Sequence, residues 1–163
     1  MGAFVLEEKP RTFEFFRCYS IKITLICGQV PYKRNCMKTD SIEIFQTIRA
    51  AMQPYTALGF TARANTDDHY DLWSEKNVVI DGKKKSELHF AEVKVSKDTV
   101  QFCVYAIEMM GENKQSVIDQ SLSAYQDNDA GCFSIKQLDE SLLENLTEVL
   151  ERCYQLFKQK EWV

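Results

Sequence analysis

The chain has 163 residues, of which 45% are hydrophobic and 27% are charged, a composition typical of one globular domain rather than of a disordered chain. Its net charge of −4 argues against a nucleic-acid-binding protein, which needs a basic face to contact phosphates. No stretch approaches the ~20 apolar residues of a membrane-spanning helix. The sequence therefore predicts a cytoplasmic protein that binds neither nucleic acid nor membrane.

The first part of the chain differs from the rest in charge. Residues 1–36 contain six Lys or Arg and three Glu, a balance of +3, whereas the remainder has a balance of −7. This first part ends in a basic run with turn-forming residues between Gly28 and Asn35. We therefore predict an appendage at 1–36 and a domain at 37–163. The competing interpretation is an edge strand, because Ile21, Ile23 and Leu25 alternate with other residues.

A helix is predicted just after residue 40. Asp40 or Ser41 can cap its first turn, and Pro54 marks its end, since the residue before a proline disfavours helical geometry. The apolar positions recur at helical spacing: Ile44, Phe45, Ile48, Ala51 and Met52.

Extended segments follow this helix. Residues 58–66 are predicted to form a strand, residues 67–68 a turn, and residues 70–80 a second extended stretch that breaks near 75–77. Asp81-Gly82 is the strongest hairpin signal in the chain. Residues 88–95 and 100–109 are predicted strands joined by a turn at 96–98.

The C-terminal part returns to helical patterning. We predict a helix at 114–125, a loop at 127–131 and a short strand at 132–135. One long helix follows, with Asp139 at the position of its N-cap. Its apolar stripe comprises Leu138, Leu142, Leu143, Leu146, Val149, Leu150, Cys153 and Phe157. The order of elements predicts an α+β fold, an antiparallel sheet with helices packed on one face and a long C-terminal helix.

The six cysteines are far apart and form no Cys-x-x-Cys pair. We expect reduced structural thiols rather than disulfides or a zinc site. Neither of the two histidines, His69 and His89, lies at ligand spacing from a cysteine or from the other. No Ser-His or Cys-His arrangement is visible, so the sequence predicts a protein that is not an enzyme.

An acidic string is the one motif that suggests a cation. Asp67, Asp68 and Asp71 follow the predicted strand at 58–66, and carboxylate oxygens suit hard cations. Aspartates in a turn also bond their own backbone, so a solvated turn is the alternative interpretation.

Several segments of the domain together resemble the YdhG-like domain family. They are Gly82-Lys-Lys-Lys-Ser-Glu-Leu-His-Phe-Ala91, Val100-Gln-Phe-Cys-Val-Tyr105, Gly131-Cys-Phe-Ser-Ile-Lys-Gln-Leu-Asp-Glu-Ser-Leu-Leu143 and the ending Tyr154-Gln-Leu-Phe-Lys through Trp162-Val163. The resemblance runs from about residue 40 to the C-terminus, and the run that begins at Gly131 is its most specific part.

The resemblance implies a fold similar to that of frataxin, and one branch of the family is regarded as an iron chaperone. Carried over to this sequence, an acidic surface that could bind iron would comprise Asp40, Glu43, Asp67, Asp68 and Asp71. Two functions therefore follow as hypotheses. The first is iron binding or delivery through these carboxylates. The second is a non-catalytic module that binds a small molecule or a protein on the exposed sheet face and has no metal role.

Overall fold

The structure is a computed structural model that describes residues 37–80, 82–113, 118, 120–127 and 131–163. All of these residues belong to one compact unit of the chain. The predictions for residues 1–36, and for residues 114–117 and 119 of the predicted helix at 114–125, lie outside the described residues. Among those described, Gln120–Tyr125 forms a 3-10 helix.

The first helix, α1, spans Ser41–Met52 and begins as the sequence predicts. Its N-cap is Asp40, whose Oδ1 accepts a hydrogen bond from the Glu43 amide at 2.9 Å. This bond satisfies one of the amides that have no partner within the helix. A 3-10 helix, Gln53–Leu58, continues the chain with a proline in its first turn. The buried face of α1 comprises Ile44, Phe45, Ile48 and Met52.

The second helix, α2, spans Glu140–Gln159, and the prediction of one long C-terminal helix is confirmed. Its N-cap is Asp139, which accepts a hydrogen bond from the Leu142 amide at 2.8 Å. The buried stripe contains six of the eight predicted residues: Leu142, Leu146, Val149, Leu150, Cys153 and Phe157. Leu138 is buried but precedes the helix, and Leu143 is half-buried.

Seven strands form two sheets in the described part of the chain. They are β1 (His69–Ser74), β2 (Val78–Ile80), β3 (Lys83–Lys85), β4 (Leu88–Ser96), β5 (Thr99–Val104), β6 (Gln126–Asp127) and β7 (Cys132–Ile135). The main sheet has the order β1-β4-β5-β7-β6 with every neighbouring pair antiparallel. Strands β2 and β3 form a separate ribbon, in which Ile80 pairs with Lys83 and Gly82 has a φ of 75°. The hairpin predicted from Asp81-Gly82 is therefore present, and Asp81 itself lies outside the described residues. The α+β fold class is confirmed.

Side chains alternate between the two faces of the main sheet. Those on one face join the buried residues of α1 and α2 in a single hydrophobic core, so both helices pack on that face. The strand residues in this core are Tyr70, Leu72, Leu88, Phe90, Ala91, Val93, Val100, Phe102, Val104, Phe133 and Ile135. We call the opposite side the outer face; by strand register it carries His69, Asp71, Trp73, His89, Glu92, Lys94, Gln101, Cys103, Asp127, Cys132 and Ser134.

Strand β4 contains one extra residue that decides which side chains reach the outer face. Leu72 pairs with Ala91, but the next residue, Trp73, pairs with His89, so Phe90 has no partner on β1. This β-bulge allows Phe90 and Ala91 both to be buried in the core. As a result, His89 emerges on the outer face beside Trp73.

Two predicted strands are wrong in part. Residues 58–66 form no strand and make only isolated bridges from Thr61 to Trp73 and from Asn65 to Tyr70. The predicted strand at 100–109 ends at Val104, after which Tyr105–Asn113 is a 3-10 helix. Gly131 lies against the end of β5, where its carbonyl accepts a hydrogen bond from the Val104 amide at 2.9 Å. A Cβ at Gly131 would stand 2.8 Å from the Val104 carbonyl oxygen, so only glycine fits.

The expectation of reduced thiols is wrong for one pair. Cys103 and Cys132 stand opposite each other on β5 and β7 and are joined by a disulfide. The bond closes a loop with a sequence separation of 29 that contains every residue between the two strands. Cys153 is a free, buried thiol, as predicted, and burial raises its pKa to about 12.

The buried stripe of α2 gives a direct test of the core. Replacing Leu146, which is 1% exposed, with Ala should lower the free energy of unfolding by about 2–5 kcal/mol, because a cavity replaces buried methyl groups. Glu144→Ala on the exposed face of the same helix is the matched control and should change it by less than about 0.5 kcal/mol. Denaturant unfolding measures both. An equal effect of the two substitutions would show that Leu146 is not in the core.

The disulfide should stabilise the fold by restricting the unfolded chain. For a loop of 29 residues, the entropic contribution is about 3–4 kcal/mol. We therefore expect a reductant to lower the denaturant midpoint of the wild type but not that of Cys103→Ser/Cys132→Ser, which is the control for effects on other cysteines. An unchanged wild-type midpoint would contradict this expectation.

Candidate functional site on the outer face of the sheet

The five carboxylates predicted to bind iron have separate structural roles. Asp40 caps α1, and Glu43 forms an ion pair with Lys38 at 2.9 Å. Asp67 is exposed, and Asp68 accepts a hydrogen bond from Thr66 Oγ1 at 2.7 Å. The fifth, Asp71, is buried on the outer face. Within the described ranges, no group of three or more His, Cys, Asp or Glu side chains could hold a metal ion.

Asp71 uses its carboxylate to organise the neighbouring chain. Its Oδ1 accepts hydrogen bonds from the amides of Arg63 at 3.0 Å and Ala64 at 2.7 Å, and its Oδ2 accepts one from Trp73 Nε1 at 2.8 Å. Burial opposes ionisation of Asp71, but the Trp73 and backbone hydrogen bonds outweigh it and hold its pKa below the ordinary value. A carboxylate engaged in this way is a positioning group rather than an open metal ligand.

Glu92 is the second buried carboxylate and stands opposite Asp71 on β4. Tyr105 donates its hydroxyl hydrogen bond to Glu92 Oε2 at 2.7 Å, and Lys94 Nζ lies 3.1 Å from Oε1. His69 Nε2 is 3.2 Å from Oε1, at ion-pair distance without the alignment of a hydrogen bond. Burial raises the pKa of Glu92, but the hydrogen bonds from Tyr105 and Lys94 bring it below the ordinary value.

A ladder of three stacked rings crosses the outer face. The Trp73 and His89 ring centroids are 4.0 Å apart with an interplanar angle of 3°, and those of His89 and Tyr105 are also 4.0 Å apart. All three side chains are half-buried. Burial lowers the pKa of His89 despite the opposing fields of Glu92 and Asp71, so this imidazole is neutral at pH 7. We call Trp73, His89 and Tyr105 the ring ladder.

The ladder ends at a cation. The Arg63 guanidinium carbon lies 4.7 Å from the Trp73 ring centroid, within the range of a cation–π contact. Its Nη2 is 2.6 Å from Glu87 Oε2 and 3.6 Å from Glu75 Oε1. The hydrogen bond to Glu87 raises the pKa of Arg63 and lowers that of Glu87.

The outer face and its rim are acidic. Five carboxylates stand against three permanent cations, a net charge of −2 without the histidines. The carboxylates are Asp71, Glu75, Glu87, Glu92 and Asp127, and the cations are Arg63, Lys94 and Lys136, which directly follows β7.

The ribbon of β2 and β3 offers a different kind of surface. A groove of about 470 Å³ lies beside it, lined by Asn77, Val78, Val79, Lys84, Lys85 and Ser86. Two valines make the groove partly apolar, while two lysines give it positive charge. Its positive charge would repel a metal ion, and it would equally repel a cationic partner that binds an acidic surface.

Sequence reasoning identified one residue of this site, Asp71, and assigned it a different role. His89 lies in the predicted strand at 88–95, and its spacing gives it no ligand role. The structure stacks it between two rings but leaves its buried Nε2 without a hydrogen-bond partner among the described residues. Trp73, Glu92 and Tyr105 were missed, because a sequence shows which residues are in strands but not which strands adjoin. The remaining signal was the alternation around Asp71 and Trp73, which places both on one face.

Comparison with protein-family models, curated proteins and solved structures found no match. The resemblance to the YdhG-like family therefore stays a prediction. No helix in the described part of the chain is both long and apolar enough to cross a membrane.

The two buried carboxylates and His89 should make the fold sensitive to acid. All three have pKa values below their ordinary ones, so the unfolded chain binds more protons as the pH falls. The contribution of these groups to the free energy of unfolding should therefore be fully present well above about pH 6.5. It should decline first as His89 of the unfolded chain protonates, and further below about pH 4.5 as the carboxylates of the unfolded chain protonate.

Substituting the imidazole separates the two parts of this decline. His89→Phe keeps a planar ring but removes the titration, so its stability should change less than that of the wild type between about pH 7 and pH 5. Denaturant unfolding across this range is the measurement. A wild type that becomes more stable on acidification would contradict the lowered pKa values.

Proposed function

We propose that this domain is a non-catalytic binding module whose outer face takes an organic cation, the ammonium or guanidinium group of a small molecule or of a basic peptide. The observation that carries the proposal is the ring ladder in its acidic surroundings. The face of an aromatic ring attracts cations electrostatically, and the Trp73 face at the end of the ladder already contacts the Arg63 guanidinium. The net charge of −2 on the face and rim adds complementarity to a positive partner. The proposal involves no metal. The cytoplasmic location expected from the sequence stays a prediction that the Cys103–Cys132 disulfide disfavours, because disulfides are rare in reducing compartments.

The ladder is rigid enough to serve as a binding surface. Trp73 is fixed by its hydrogen bond to Asp71, and Tyr105 by its hydrogen bond to Glu92. Both carboxylates are held in turn by further donors. Side chains fixed before a partner arrives lose little entropy on binding. The arrangement therefore supports recognition more than it supports catalysis, since burial and the hydrogen bond to Glu92 raise the pKa of the Tyr105 hydroxyl and make it a poor nucleophile.

Iron binding through Asp40, Glu43, Asp67, Asp68 and Asp71 is the competing proposal. It has less support, because Asp40, Glu43 and Asp71 are engaged with partners inside the fold. A ferrous titration of the wild type and of Asp67→Asn/Asp68→Asn distinguishes the two. Ferrous binding that the double substitution abolishes would favour the iron role.

A charge-matched pair of peptides tests the cation proposal. A short peptide that alternates Arg and Gly should shift the amide and indole NMR signals of Trp73, Lys94 and Tyr105, whereas the same peptide with Glu in place of Arg should not. Trp162→Phe leaves Trp73 as the only tryptophan, so its fluorescence gives an affinity. That affinity should fall as salt is added, because exposed charges are screened.

Neutralising the acidic rim should weaken the binding. Glu75→Gln/Glu87→Gln should reduce the affinity for the Arg peptide at least about tenfold, a change of about 1.4 kcal/mol. The control, Glu140→Gln/Glu144→Gln on the exposed side of α2, removes the same charge elsewhere and should have little effect. Equal loss in both variants, or signals that shift only around Lys84 and Lys85, would exclude the outer face.

A further inference from the structure

The end of the ring ladder already holds a guanidinium group. Arg63 lies over the Trp73 ring at 4.7 Å and contacts Glu87 at 2.6 Å and Glu75 at 3.6 Å. An aromatic face beside carboxylates is the surrounding that a planar guanidinium prefers, because it combines cation–π contact with charge-assisted hydrogen bonds. We call Trp73, Glu75 and Glu87 the guanidinium site.

This site does not depend on Arg63 for its shape. Trp73 is held from the opposite side by the His89 ring and at its indole nitrogen by Asp71. Glu75 directly follows β1, and Glu87 directly precedes β4. The strands and the ladder therefore keep the Trp73 ring and the backbone of Glu75 and Glu87 in place whether or not the arginine side chain is present.

The backbone and the side chain of Arg63 are held very differently. The amide is bonded to Asp71 at 3.0 Å, whereas the side chain is 38% exposed and lies on the guanidinium site at the surface. It can therefore leave while its backbone stays in place. A second guanidinium that replaced it would form the same contacts, so the exchange would cost few interactions.

We propose that Arg63 is an internal occupant of a site for the guanidinium group of an arginine or a related compound, and that the partner displaces it. This inference rests on the proposed binding function and narrows its ligand from organic cations to guanidinium. Arg63 limits affinity, since a partner must compete with a group that is always nearby. Lys94 differs from Arg63 because its contact is with the Glu92 carboxylate at 3.1 Å rather than with an aromatic face.

Removal of the occupant gives the primary test. In a Trp162→Phe background, Arg63→Ala should bind methylguanidinium saturably, with an affinity at least about tenfold higher than that of the protein with Arg63 intact. Methylammonium should bind more weakly, because it lacks the planar fork. Lys94→Ala, the matched control, removes a cation from the same face and should create no methylguanidinium site. Adding Glu87→Gln to Arg63→Ala should abolish the gain.

A second measurement follows Arg63 itself in the wild type. The Arg peptide should shift the Arg63 Nε–H signal toward that of a free arginine as the side chain is displaced. Two results would exclude the guanidinium site: Arg63→Ala binds methylguanidinium no better than the wild type, or the gain survives Glu87→Gln. Either result excludes the site even if the wild type binds the Arg peptide. If Arg63→Ala binds methylguanidinium but the wild type does not bind the Arg peptide, the site serves only as an internal contact for Arg63. The proposed binding function is then wrong.

Discussion

The β-bulge at Phe90 is the constraint on which the outer face depends. A regular β4 would have placed Phe90 on the outer face and His89 in the core. With the extra residue, the large Phe90 ring packs in the core against Phe60 and Phe157, while His89 stacks on Trp73 outside it. One unpaired residue thus improves the core and completes the ring ladder, at the expense of one interruption in the hydrogen bonding between β1 and β4.

The two helices, the Asp-Gly hairpin and strands β4 and β7 could be predicted from the sequence because their signals are local. The caps Asp40 and Asp139 act within three residues of themselves, and helical spacing marks the buried stripes. The strand predicted at 58–66 failed for a non-local reason. Asp71 accepts hydrogen bonds from the amides of Arg63 and Ala64, so a side chain takes donors that a strand would offer to a neighbour.

The candidate site was harder to predict than the fold, because it depends on register. Cys103 and Cys132 are far apart in sequence and meet only because β5 and β7 pair at those residues. The acidic string shows the same limit. Asp67 is exposed and Asp68 accepts a hydrogen bond within the turn, but Asp71 lies within β1 and is buried. Three aspartates that look alike in the sequence therefore have three different surroundings.

The pairing of Asp71 with Glu92 is the feature that stability alone explains least. Like charges directly opposite on neighbouring strands are destabilising, and a buried ionised group seldom contributes more than an apolar residue of similar size. Here each carboxylate is kept ionised by several donors, and each in turn fixes one end of the ring ladder. The loss of stability from pairing two carboxylates is explained if the positions of Trp73 and Tyr105 serve a function. Locally unfavourable arrangements concentrate where a protein binds or reacts. That reasoning supports the outer face, rather than the turn aspartates, as the functional surface.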